Sequence, residues 1–298
     1  MTTARVDFDF DTSAVDFHAL MEDYHRDGWC IVPDVLAPEL VATLKAEVEG
    51  LMQREREAGT AYVYFEEANQ RIWELCNKGE IFRRLAQHPL AMQLVGRILA
   101  PQRPLPINQQ MEVEGRAAQD DVAVPPEFIL SSFSANMPGR GSGRPGPLHA
   151  DQLPIPSPWQ YDCTANCVWL IDDFTAENGA TQYVPGSHKL GRHLTEQEFA
   201  AAETAPMTGK AGSMICWGGQ LWHQTGVNSN GASRIGILSY YVRGFMRQSE
   251  NFVVSADRDT LDGASDLLKN LMGFTPYCGM NYYPHMADLQ LWPVEHRV

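Results

Sequence analysis

The sequence predicts a mainly β protein with flanking helices, built on a double-stranded β-helix core of the jelly-roll, cupin-like kind. Three observations predict it. Helical periodicity dominates the chain up to Pro101, short β-rich runs separated by Gly/Pro-rich turns follow, and helical periodicity returns only near the C-terminus. Numerous short strands between helical ends fit an antiparallel double sheet buttressed by helices. The 298 residues, 44% of them hydrophobic, suffice for a substantial core. No repeat, low-complexity tract or linker divides them, so one domain is expected over 1–298. Its parts are a helical segment over about 12–100, a jelly-roll core over about 105–245 and a C-terminal helical extension over about 255–298.

Taken in order, residues 1–11 read as a poorly ordered leader, and Leu20, Met21 and Tyr24 suit a short helix from Val15 to Asp27 that Gly28 stops. The strand-like WCIVPDVL follows. APELVATLKAEVEGLMQREREAG reads as an amphipathic helix, with Pro38 near its start, a stripe of Leu40, Leu44, Val48 and Leu51, and Gly59 past its end. A third helix is expected over GEIFRRLAQHPLAMQLVGRILA, broken or kinked at Pro89. Strands are expected at INQQMEV, EFILSSFSA, CTANCVWLI, GSMICW and RIGILSYYV, and helices at TEQEFAAAE and DTLDGASDLLKNLMGF.

A formal net charge of −14 argues against nucleic acid, whose phosphates require clustered Lys and Arg. The chain shows no signal-peptide-like start and no run of about 18 apolar residues, so a soluble, cytoplasmic protein with no membrane partner is expected. Cys30, Cys76, Cys163, Cys167, Cys216 and Cys278 form no C-x-x-C and lie mostly in apolar runs, which reads as buried reduced thiols.

The chemistry starts from GPLHADQLPIPSP, residues 146–158. His149 and Asp151 are two apart in a segment too rich in proline for a helix, and in an extended segment residues i and i+2 share a face. A single histidine is more often structural than functional; His149 rises above that only because Asp151 accompanies it. His223 follows an apolar strand and the Gly218-Gly219 turn, and Arg234 comes eleven residues later on the expected inward-facing set of Gly236, Leu238 and Tyr240. A buried arginine cannot shed its charge, so it requires an anionic partner. His149, Asp151 and His223 make a two-histidine, one-carboxylate set, which on Fe(II) fills three octahedral positions and leaves three open. Two of these suit a 2-oxo acid and the third O2, while Arg234 would pair with the far carboxylate of 2-oxoglutarate.

This ordered set, together with ENGATQYVPGSHK at 177–189, resembles the phytanoyl-CoA dioxygenase family of Fe(II)/2-oxoglutarate oxygenases. The resemblance runs from GWCIVPDVL to the helix ending near Gly273. Within the family the chain looks most like the tailoring oxygenases of terpenoid and alkaloid pathways, the fumitremorgin-type endoperoxidase among them. It implies His149, Asp151 and His223 as iron ligands and Arg234 as the anchor of the 2-oxoglutarate tail, with Thr181 and Gln109 as further polar contacts to the cosubstrate. Fe(II), 2-oxoglutarate and O2 are then required, succinate and CO2 are coproducts, and an unactivated C–H of a natural product of medium size is oxidised, with hydroxylation as the default outcome and desaturation, ring formation, epimerisation or peroxide insertion open wherever rebound is slower than a competing step. A homodimer is compatible with this expectation. The chain departs from related members at Gly212-Ser213, where many show Gly-Asp, and at Pro147, where some carry a polar residue. The resemblance also makes His188 part of a structural turn.

Several features remain open at this stage. GRGSGRPG at 139–146 looks like a phosphate-cradling loop, but Pro147 rather than a helix follows, so a mobile loop at the barrel mouth is expected, with Arg140 and Arg144 solvated or touching an acidic substrate group. Tyr62, Tyr64, Phe65, Trp159 and Tyr161 are candidate pocket walls, although aromatics at such positions more often simply pack. YVYFEEANQRIW is a candidate lid. Two other functions fit the same fold: a zinc-dependent hydrolase or isomerase, which leaves Arg234 without a reason, and a non-catalytic small-molecule-binding protein, which the intact ligand set disfavours.

Overall fold

The computed structural model describes residues 10–64, 69–99, 127–138, 145–232 and 234–275. Its first helix, α1 (Phe17–Asp27), is capped by Asp16, whose side chain accepts from the Ala19 N–H, and ends at Gly28 with φ 85°. Glycine is required there because a Cβ would lie 2.7 Å from the His188 ring. Strand β1 (Trp29–Val32) leads into α2 (Pro38–Glu57), whose stripe of Leu40, Leu44, Val48 and Leu51 is buried as its spacing predicts. Each such leucine contributes about 1.5–3 kcal/mol through burial. The expected third helix is two, α3 (Glu80–Leu85) and α4 (Pro89–Leu99), divided just before Pro89.

Between α2 and α3 lies YVYFEEANQRIW, expected as a lid, of which residues 65–68 fall outside the described residues. It forms strands β2 (Tyr62–Tyr64) and β3 (Asn69–Ile72), which pair with each other at the end of a sheet. The reason lies in Ile72, which is fully buried and pulls the strand into the core.

The remaining strands are β4 (Phe128–Pro138), β5 (Thr164–Leu170), β6 (Thr181–Tyr183), β7 (Ala205–Pro206), β8 (Met214–Gly218), β9 (His223–Thr225) and β10 (Gly236–Arg243). They form a seven-stranded sheet in the order β1-β8-β5-β10-β4-β3-β2 and a three-stranded sheet β7-β6-β9, antiparallel throughout. The strand expected over INQQMEV lies outside the described residues.

The large sheet is covered on both faces, which explains why TANCVWL in β5 reads as a continuous run rather than an alternation. Ala165, Cys167 and Trp169 face the main core with α2 and α4. Asn166 and Val168 face a cavity lined by both sheets. In β10, Leu238 and Tyr240 share that cavity face as expected, whereas Ile237 and Tyr241 join the core. Near the C-terminal end, the helix expected over DTLDGASDLLKNLMGF is divided at Gly263-Ala264-Ser265 into Arg258–Asp262 and Asp266–Leu271, because Ser265 accepts from the Leu268 N–H and starts a new helix.

Cys30, Cys76, Cys163, Cys167 and Cys216 are buried and free, while Cys278 lies outside the described residues. No helix among the described residues is long and apolar enough to cross a membrane.

Candidate active site

His149 and His223 are brought together by the backbone itself. The His149 N–H donates to the His223 carbonyl at 3.0 Å and the His223 N–H to the His149 carbonyl at 2.8 Å, an isolated antiparallel bridge. Such a bridge sets two side chains beside each other, and the ring centroids are 4.4 Å apart. Asp151 arrives differently from expectation. It is not on an extended strand with His149 but opens a turn, anchored where the Gln152 N–H donates to the Gly219 carbonyl at 3.0 Å. Asp151 Oδ1 lies 3.8 Å from His149 Nε2 and its Oδ2 3.9 Å from His223 Nε2. One donor atom from each residue falls within 4.8 Å of the others. These separations are too long for hydrogen bonds and bring the three side chains close enough to share a single ion.

The surrounding groups prepare those atoms. His149 Nδ1 lies 2.9 Å from the Pro147 carbonyl and His223 Nδ1 lies 2.9 Å from the Leu221 carbonyl, contacts in which each Nδ1–H donates and each Nε2 keeps its lone pair for the centre. The departure at Pro147 therefore does no harm to this contact, since the backbone oxygen makes it. Burial holds His223 below the usual imidazole range, against the opposing pull of Asp151. Asp151 Oδ2 accepts from Asn166 Nδ2 at 2.7 Å and from Trp217 Nε1 at 3.2 Å, which fixes its rotamer. Two imidazoles and a carboxylate are a donor set suited to Fe(II).

The cavity above this centre measures about 310 Å³ and reaches Arg234 and Thr181. Arg234 is only 2% exposed. Its Nη2 donates to the Gly179 carbonyl, its guanidinium lies 4.4 Å from the centroid of Phe174, and its Nε has no hydrogen-bond partner. Among the described residues no carboxylate pairs with it. Burial pushes its pKa down to about 10. A cation left in this state is built to receive an anion. The backbone at its base is pinned where the Ile235 N–H donates to Asp172 Oδ2 at 2.9 Å. In ENGAT, Asn178 accepts from the Thr175 N–H at 2.8 Å, and Gly179 has φ 83° with room for no Cβ, 2.9 Å from the Gly226 carbonyl. These contacts shape the turn that delivers Thr181 to β6, opposite Thr225 of β9.

Residues 24–236 match the family Phytanoyl-CoA dioxygenase (PhyH). The chain belongs to the phytanoyl-CoA dioxygenase family. Among curated relatives it is 27% identical over 265 residues to "Dioxygenase af480" of Aspergillus fumigatus, covering 83% of this chain and 74% of that one. It is 24% identical over 279 residues to "Dioxygenase FrzG" of Cladobotryum sp, covering 86% and 84%. Among solved structures, the epimerase SnoN from nogalamycin biosynthesis, in complex with Fe3+, alpha ketoglutarate and nogalamycin RO, aligns over 78% of this chain and 86% of that one, with a TM-score of 0.56 and 19% identity. HygX from Streptomyces hygroscopicus, with nickel, 2-oxoglutarate and hygromycin B bound, aligns over 77% and 88%, with a TM-score of 0.57 and 14% identity.

This member of the phytanoyl-CoA dioxygenase family has the jelly-roll fold expected from its sequence. It is a 2-oxoglutarate-dependent dioxygenase that uses iron, 2-oxoglutarate and O2.

Sequence reasoning missed the wall built by β3 and β4. Arg71, Trp73, Ser132 and Asn136 line the cavity, as do Asn166 and Trp217 beneath Asp151. The i, i+2 spacing of Arg71 and Trp73 around a buried isoleucine was the available signal. Of the candidate aromatic walls, Tyr64 lines the cavity and donates to Asn136 Oδ1 at 2.7 Å. Tyr62 and Tyr161 are instead about half exposed, at 52% and 51%, and Trp159 packs with Trp222 in a separate cluster. His188 stays structural, its Nε2 3.2 Å from the His25 carbonyl. Gly212 shapes a turn with φ 89°, its carbonyl accepting from Val35 and Leu36, so the Gly212-Ser213 departure sits in a supporting turn. Gln109, Phe65, Arg140 and Arg144 lie outside the described residues.

Proposed function

We propose that His149, Asp151 and His223 hold Fe(II) and that Arg234 receives the distal carboxylate of 2-oxoglutarate, with Thr181 and Gln109 as polar contacts. We further propose that residues 1–298 form one domain that hydroxylates an unactivated C–H of a natural product of medium size. The observation that carries the proposal is the convergence of two Nε2 atoms and a carboxylate within 4.8 Å, below a buried guanidinium that lacks a carboxylate partner among the described residues.

Bound there, iron would supply the oxidative decarboxylation of 2-oxoglutarate to succinate and CO2, with O2 as the oxidant that gives one oxygen atom to succinate and the other to the substrate C–H. The chain supplies position. The Pro147 and Leu221 carbonyls orient the imidazoles, and Asn166 and Trp217 hold the Asp151 carboxylate. Arg234 aims the cosubstrate along the cavity, and Val168, Leu238 and Trp217 make part of its wall apolar. Hydroxylation requires no residue beyond these. Because Asp151 is retained, no ligand position is vacated for a halide, which disfavours halogenation.

Anaerobic titration of Fe(II) with 2-oxoglutarate should give a visible metal-to-ligand charge-transfer band, and a screen of candidate small molecules should find one that stimulates succinate release. Asp151→Ala should abolish both signals. Absence of the band in the native protein would refute the assignment, and full turnover by the alanine variant would remove Asp151 from it.

A further inference from the structure

We infer that Arg71 receives a carboxylate carried by the substrate, so that the molecule oxidised in this cavity is an organic acid; the inference rests on the oxygenase function proposed above. Arg71 and Trp73 stand on the same side of the chain, with the fully buried Ile72 between them turned to the core. Both therefore extend the cavity wall beyond β4. The Arg71 guanidinium lies 4.5 Å from the centroid of the Trp73 ring, an arrangement that fixes the plane of the fork. Its Nε is buried without a hydrogen-bond partner. The nearest polar side chain across the sheet is already engaged, because Asn136, in register with Arg71, accepts from the Tyr64 hydroxyl.

Arg71 and Arg234 both lie near Tyr64 but make different contacts. Arg234 rests on Phe174 and donates to Gly179 beside β6, whereas Arg71 rests on Trp73 at the β3 side of the cavity. Among the described cavity-lining residues the only acid is Asp151. The ferrous ion, the cosubstrate dianion, Asp151 and Arg234 are together neutral, which leaves the Arg71 charge uncompensated. Glu250 lies close enough to feel Arg71, but its Oε1 accepts from the Glu74 and Phe133 N–H groups, and burial pushes its pKa up to about 7. Its Oε2 is buried without a hydrogen-bond partner and forms no ion pair with Arg71. Of the two carboxylates of 2-oxoglutarate, one goes to the metal and one to Arg234, so the anion that completes Arg71 arrives with the substrate. A planar, stacked guanidinium favours bidentate pairing with a carboxylate.

The test uses the full chain with Fe(II) and saturating 2-oxoglutarate under anaerobic conditions, with benzoate as probe and benzamide as its uncharged counterpart, followed by calorimetry. Benzoate is expected to bind, with benzamide at least about tenfold weaker, and Arg71→Gln is expected to weaken benzoate at least about tenfold while leaving the 2-oxoglutarate charge-transfer band and its midpoint unchanged. Arg71→Lys, which keeps the charge and loses the fork, is expected to fold and to bind benzoate several-fold more weakly than the native chain. The inference is overturned if the native protein does not bind benzoate, if it binds benzamide equally well, or if either variant binds benzoate like the native chain. It is also overturned if Arg71→Gln weakens 2-oxoglutarate instead. Failure of the band in the native protein would refute the oxygenase assignment, and benzoate titration of the metal-free Arg234→Met protein with and without Arg71→Gln would still decide Arg71.

Discussion

Arg234→Met is expected to stabilise the protein without ligands and to destabilise it, relative to the native chain, with them. Burial pushes the Arg234 pKa down to about 10. At about 1.4 kcal/mol per pKa unit, that displacement corresponds to a penalty of about 3 kcal/mol on the charged group. The guanidinium stays protonated at neutral pH, so the folded state bears this penalty. Methionine removes it at similar volume, with the loss of the charge-assisted hydrogen bond to Gly179, about 1.5 kcal/mol, and the replacement of the cation–π contact with Phe174 by a sulfur–ring contact, a loss of about 0.5 kcal/mol. The net gain of about 1 kcal/mol should raise the melting temperature by about 2 °C. With Fe(II) and 2-oxoglutarate at about 100 times the native dissociation constant, the native protein gains about 2.7 kcal/mol. The variant, having lost two charge-assisted hydrogen bonds of about 1.5–3 kcal/mol each, binds about 10²–10⁴-fold more weakly and gains little. Anaerobic melting curves with and without ligands should therefore cross. A variant that melts below the native chain without ligand, or one that 2-oxoglutarate stabilises as strongly, would refute the reasoning.

Two further outcomes are expected. Asn166→Leu removes the 2.7 Å hydrogen bond to Asp151 Oδ2 together with an Asn166 Oδ1 that is buried without a partner, so stability should change little while metal affinity falls about 10–100-fold; chelator-competition titration giving unchanged affinity would remove Asn166 from that role. Burial pushes His88 down to about 4 against an ordinary value of 6.5, so the unfolded chain takes up a proton that the fold refuses, and up to about 3 kcal/mol of stability present above pH 6.5 is lost as the pH falls toward 4. His88→Asn keeps an acceptor for the Leu90 N–H, and urea melts at pH 7 and 4.5 should show a smaller acid loss than in the native chain; an equal loss would rule out this histidine as the source.

Much of the candidate metal centre was legible because its signals are local. His149 and Asp151 are two residues apart, His223 follows the Gly218-Gly219 turn, and Arg234 stands just ahead of β10, where burial of a permanent cation implies an anion. The stripe of α2 and the break at Pro89 are likewise statements about neighbours within a few residues. The geometry that unites His149 with Asp151 was misjudged, since a turn rather than strand alternation joins them. The β2–β3 pairing was not legible, because its aromatic and charged residues read equally well as a surface flap.

The amino-acid order by itself determined which side chains could bind a metal and an anion, and which stretches would be helix or strand, since these follow from side-chain chemistry and from the periods 3.6 and 2. Only the tertiary structure decided that β3 joins β4 at one side of the sheet and carries Arg71 and Trp73 into the cavity, and that Asn166 and Trp217 meet beneath Asp151 from β5 and β8. Periodicity tells a residue which face it occupies, whereas the identity of the neighbouring strand depends on which distant segments exclude water together most completely, and that is a property of the whole packed core.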